Sequence, residues 1–138
     1  MTSEVKVQLK SVQKSGDVAD VNRTETNGRL TVSSDQRFML RFDTSDENGV
    51  TSTTIKSKDS DHITVTRTGI TQTKMEFSAD SPTPFIYRTP IGTLEFMLKT
   101  TEISIIADQA PSLSLVMRYS LFNAGTCVSE NSIELSAI

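Results

Sequence analysis

Residues 87–96 read YRTPIGTLEF: a proline–glycine turn signal set between two runs that are apolar at alternate positions. Proline suits the first corner of a type I turn, and a glycine two positions later can take the left-handed conformation that closes a short β-hairpin. The spacing predicts a three-residue loop flanked by Thr89 and Thr93, with Arg88 opposite Leu94 and Ile86 opposite Phe96. In that register Ile86, Leu94, Phe96 and Leu98 face a core, and Phe85, Tyr87 and Met97 face outward as an apolar patch that needs a cover, such as a second subunit. A slip of one residue exchanges the faces of a strand and would turn Phe85 and Tyr87 inward. The direction of Tyr87 therefore separates two readings of the hairpin. Inward, it belongs to a ligand pocket; outward, it belongs to an interface.

The same period of two runs through the chain. Val5, Val7 and Leu9 alternate with Glu4, Lys6, Gln8 and Lys10; Phe38, Leu40 and Phe42 with Arg37, Arg41 and Asp43; Met75 and Phe77 with Lys74 and Glu76. Leu113, Leu115, Met117, Tyr119 and Leu121, then Ile133 and Leu135, continue it to the end. Such alternation marks strands with one face on a core and one in water. Turn signals recur at Asn27–Gly28, Asn48–Gly49, around Asp59 to Asp61, at Thr68–Gly69, at Ser81 to Pro84 and at Ala124–Gly125. About eight to ten strands result. Only residues 17–22 and 107–112 offer room for a short helix. Short local connections make each strand pair with its sequence neighbour, and closure removes the open edges that invite aggregation. The expected fold is all-β, a single domain over residues 1–138 forming one closed antiparallel up-and-down barrel. An interior of that size is either filled by side chains or holds one small ligand.

Composition narrows the function classes. With 138 residues and a formal charge of −3, Lys and Arg are outnumbered and form no run, which argues against a nucleic-acid partner. The single cysteine, Cys127, allows no intrachain disulfide and points to a reducing compartment, with the cytoplasm as the expectation. The first residues are charged and hold no continuous apolar stretch, so neither a secretory signal nor a membrane anchor is expected.

Chemical motifs are sparse. The lone His62 lies among Asp59, Ser60 and Asp61 and reads as a solvated turn residue, which leaves no Ser–His–Asp or Cys–His arrangement. Residues 43–50, DTSDENGV, lack the sixth-position glycine and closing glutamate of a calcium loop and read as a hairpin tip. No phosphate cradle of the GxGxxG or GxxxxGKS type occurs. Neither catalysis, a metal nor a cofactor is expected. Arg67 follows Ile63 and Val65 on the same parity, so strict alternation aims it inward, where a guanidinium needs a partner. Either a bulge or the Thr68–Gly69 turn re-aims it to solvent or to a structural carboxylate, or it recognises an anion at a barrel mouth. Arg118 has the outward parity.

Three stretches together, residues 53–77, residues 87–105 and residues 115–138, resemble the YwiB-like family of bacterial β-barrel proteins. The specific elements are Arg67-Thr-Gly69, Tyr87-x-Thr-Pro-x-Gly92 and Tyr119-x-Leu121 with a final alternating strand. The resemblance implies a calycin or lipocalin-like closed barrel and carries no catalytic residue. Where such a family has a carboxylate after the "LRF" strand, this chain has Asp43.

Two function classes follow. The first is a binding barrel for a small apolar or anionic ligand, with Arg67, Tyr87 and Tyr119 as its polar groups. The second is a filled barrel acting through an exterior patch of Phe85, Tyr87 and Met97, as a homodimer.

Overall fold

The computed structural model describes residues 2–34, 37–108 and 111–138, Ser34 by its backbone alone. Ten strands follow one another: β1 (Thr2–Ser15), β2 (Val18–Ser34), β3 (Arg37–Asp46), β4 (Gly49–Asp59), β5 (His62–Thr68), β6 (Gln72–Ser78), β7 (Thr83–Thr89), β8 (Gly92–Asp108), β9 (Ser112–Asn123) and β10 (Thr126–Ala137). Each pairs antiparallel with its sequence neighbours, and β10 returns to β1, closing the barrel. The meander expected from the short connections is thus the observed topology. Among the described residues no helix is long and apolar enough to cross a membrane.

Neither helix expectation holds. Ser15 pairs with Val18, so a two-residue turn with Gly16 at φ 62° sends the chain straight from β1 into β2. Ala107 and Asp108 end β8 and Ser112 opens β9, while residues 109–110 lie outside the described set. Asn27–Gly28 is no turn either. Gly28 sits inside β2, opposite both Val5 and Phe42. A Cβ there would stand 2.8 Å from the Arg41 carbonyl oxygen and 2.9 Å from Val7 Cγ2, so the glycine is required by the close approach of the flanking strands β1 and β3.

The hairpin of residues 83–98 takes the slipped register. Thr89 pairs with Gly92 around the two-residue turn of Pro90 and Ile91, which places Tyr87 opposite Leu94 and Phe85 opposite Phe96. This corrects the expected faces of β7. Phe85 is buried in the core at 5 % exposure and Tyr87 packs against the core, while Ile86 is turned out. The gain is aromatic burial: Phe85 stacks on Phe96 at 6.0 Å and meets the edge of Tyr87 at 6.1 Å. The exterior patch of Phe85, Tyr87 and Met97 therefore does not form, and only Met97 of the three lies on the outer wall.

Neighbouring strands alternate in direction, so the turns at 16–17, 47–48, 69–71, 90–91 and 124–125 share one end of the barrel. Toward the other end the interior is filled by Phe38, Ile63, Phe77, Ile105, Leu113 and Ala137, all buried. We call the filled end the floor and the end bearing the five turns the mouth. Across the middle, Val7, Leu30, Leu40, Leu98, Leu115 and Met117 are each 0 % exposed, so side chains and not a chamber occupy the centre.

At the floor end the sole histidine has a structural task. His62 Nδ1 lies 2.8 Å from Asp59 Oδ1, and Nε2 lies 3.3 Å from Asp80 Oδ2, joining the β4–β5 turn to the loop before β7. The Ala79 amide donates to the Asp61 carbonyl at 2.9 Å beside them. The hydrogen bond to Asp59 raises the His62 pKa, and the Asp80 and Asp61 carboxylates add to it; the same bond to His62 lowers the pKa of Asp59. The His62 contribution is present in full below an unfolded pKa of about 6.5 and is lost as pH rises through the raised folded value. The Asp59 contribution is lost on the other side, as pH falls through its depressed value. Comparing wild type with His62→Gln across pH should give the largest difference in melting temperature near roughly pH 5–6. The difference should vanish at alkaline pH and shrink in salt, since all three groups are exposed. A gap that persists unchanged at alkaline pH would show that the clip is not ionic.

Candidate functional site

The site is built from one lateral row of the wall. Thr53, Arg67, Thr73 and Tyr87 are successive cross-strand partners on β4, β5, β6 and β7, and directly opposed residues share a face. The ladder is regular at Arg67. The register shift in the β4–β5 pair falls between Ser57 and Asp59, at the other end, so no bulge turns the guanidinium outward. Arg67 accordingly keeps the parity of Ile63 and Val65 and enters the interior just below the mouth, half-buried.

The far wall supplies the rest. Tyr119 on β9 lies four of the ten strand positions away from Arg67, so the two meet only through the interior. Burial pushes the Tyr119 pKa upward, and the positive charge of Arg67 pulls the other way. The phenol therefore stays protonated near neutral pH and is available as an O–H donor. Phe77 holds the ring from below, edge to face at 4.9 Å. Thr100 is the direct cross-strand partner of Tyr119.

Two hydroxyls in this region have no hydrogen-bond partner among the described residues: Thr73 Oγ1 and Thr100 Oγ1, both buried. Thr73 is flanked by Arg67 and Tyr87, and Thr100 by Tyr119. A buried hydroxyl without a partner costs on the order of 1–3 kcal/mol. Among the described residues no carboxylate lies within salt-bridge distance of Arg67, whereas outward Arg118 reaches Glu102 at 3.9 Å. The result is a cation and a protonated phenol on opposite walls, each with an orphan hydroxyl on the adjacent strand, at an end where Tyr87, Phe96 and Leu121 are half-buried against the core.

The three ligand residues named from sequence are thus brought to one end, and Thr73 and Thr100 are the two that sequence reasoning missed. Both carry inward parity, but threonine is common on strand surfaces, so nothing marked them. The other candidates lie elsewhere. Asp43 is exposed and its Oδ1 accepts from the Ser52 hydroxyl at 2.7 Å. The tip of residues 43–50 is an Asx turn, with Asp46 Oδ1 accepting from the Asn48 amide at 2.8 Å. Cys127 is exposed, with Sγ 3.6 Å from the Ser129 carbonyl oxygen.

A ten-stranded closed meander with a filled floor and a polar mouth defines the class, a calycin-like β-barrel. Residues 7–135 match the domain of unknown function DUF1934, and the chain belongs to that family. It is similar to the ywiB protein of Bacillus subtilis, whose crystal structure superposes with a TM-score of 0.83 at 18 % identity over 99 % of this chain and 91 % of that one. That likeness bears out the barrel read from the alternation. No curated protein matches the sequence.

Proposed function

We propose that the protein is a binding barrel whose mouth takes a small ligand carrying an anionic group on a largely apolar body. The observation that carries this reading is Arg67: a half-buried guanidinium with no carboxylate partner among the described residues, with one unsatisfied hydroxyl beside it on the adjacent strand and, on the far wall, a protonated phenol next to another. An interior cation with no partner disfavours the folded state. An anion would supply the missing charge and accept from Arg67 and Tyr119 together, as charge-assisted hydrogen bonds require. The apolar body would lie over Tyr87, Phe96 and Leu121. Because the centre of the barrel is packed, this ligand sits in the mouth and does not descend into a chamber. No nucleophile–base pair faces the same point, since the only histidine is at the floor, so binding is the role proposed.

Native mass spectrometry of protein purified from its source organism tests the reading. Wild type should carry a co-purifying small molecule that is absent from Arg67→Met. Bare protein in both samples would count against a resident ligand.

A further inference from the structure

The barrel is zipped unevenly, and one seam is left open at the mouth. β2 pairs with β1 along its length, from Thr31 opposite Thr2 down to Val18 opposite Ser15. With β3 it pairs only from Gly28 onward, where Gly28 meets Phe42. β3 continues to Asp46 on its β4 side. Above the Gly28–Phe42 pair the two strands therefore part. Residues 18–27 of β2 and residues 43–46 of β3 present facing edges with no backbone ladder between them, bridged once where the Thr26 hydroxyl donates to the Asp43 carbonyl at 3.0 Å. A row of alternating N–H and C=O groups over ten residues is complementary to one thing, another extended backbone.

We propose that this seam is a docking edge for an extended segment of a partner polypeptide, added as a strand along residues 18–27 of β2. Charge selects the kind of segment. Asp20 and Glu25 lie on the β2 edge, Asp43 and Asp46 on the β3 edge, and Asp17 and Glu47 in the two adjacent turns, against Arg23 as the single cation within these stretches. Glu25 is held by Lys6 at 2.6 Å, and Lys10 and Lys14 stand behind the edge on β1, which leaves the seam acidic by six carboxylates to four cations. A basic strand is attracted to it. A second copy of this chain would bring the same carboxylates edge to edge and is disfavoured by like charge. The edge carries no proline, and its exposed Val18 and Val21 offer one apolar contact on each face. The proposal rests on backbone pairing and is independent of any ligand at Arg67.

Hydrogen exchange on the full chain reads the proposal directly. The probe is a synthetic ten-residue peptide alternating lysine and valine, used up to millimolar concentration. It should slow amide exchange within residues 18–27 in a saturable, salt-sensitive manner. The same peptide N-methylated at every second residue, which removes the donors of one edge, should give no protection. Asp20→Lys, an exposed position whose fold can be checked by circular dichroism, should weaken binding about two- to fivefold. Equal binding by the methylated peptide, or protection confined to other strands, would overturn the assignment. So would residues 18–27 becoming protected with protein concentration alone, which would make the occupant a second copy.

Discussion

Phe77→Ala is expected to lower the stability of the protein by about 4 kcal/mol, a fall in melting temperature on the order of 10–15 °C for a domain of this size. The ring is 1 % exposed near the floor, and it supports Tyr119 from beneath at 4.9 Å. Truncation removes its apolar burial and leaves a cavity that a barrel wall, fixed by hydrogen bonds on every side, cannot collapse to fill. Urea titration should show the midpoint shifted with the slope unchanged, as for a loss of packing without a change in the denatured state. Ile86→Ala, on the outer wall of the reversed strand, is the control and should cost under about 1 kcal/mol. Equal losses at the two positions would mean that the faces of β7 and the floor have been misassigned.

Arg67→Met should act with the opposite sign on stability while abolishing the proposed binding. Methionine keeps most of the apolar stem and removes a half-buried charge that has no counter-ion among the described residues, so the ligand-free protein should gain about 1 kcal/mol. Binding of an anionic ligand should weaken by about 10- to 100-fold, the worth of a charge-assisted hydrogen bond with its attendant Coulomb attraction. The comparison has to be made on protein stripped of ligand by unfolding and refolding, because a bound molecule stabilises wild type alone. Thr73→Val should also stabilise, by about 1 kcal/mol, since it replaces an unpartnered buried hydroxyl with a methyl of similar shape. A lower melting temperature for Arg67→Met would show that the guanidinium is held by the fold itself, and the ligand reading would lose its support.

A stabilising substitution at the proposed site and a destabilising one beneath it express one division of labour. The floor and centre of the barrel are close-packed and apolar, and they hold the wall rigid. The mouth carries the polar groups that the fold leaves unpaired. Proteins tolerate such local conflict where the unpaired groups meet something else.

Most of the inner wall was legible because alternation assigns each side chain to a face. Val7, Leu40, Val65, Met75, Leu115 and Leu135 are buried as the period of two requires. Arg67 was legible as inward on the same ground, and the regular ladder on both sides of it keeps it so. Gly28 was misread as a turn, because asparagine–glycine is a strong hairpin signal and the need for a missing Cβ exists only once Val7 and Phe42 are neighbours. The loop at residues 90–92 was misread by one residue, because proline and glycine fit both a two- and a three-residue connection. The choice falls to the burial of Phe85 and Tyr87 against Phe96.

The sequence by itself determined an all-β closed meander, its strands, and the face of nearly every strand residue outside β7, because those follow from a local period and from short connections. Only the tertiary structure decided the β7–β8 register, the meeting of Arg67 with Tyr119 from four strands away, the isolation of the Thr73 and Thr100 hydroxyls, and the open seam between β2 and β3. The reason is physical. Alternation fixes which way a side chain points, whereas register and stagger fix what it points at, and those are set by packing summed over the whole barrel.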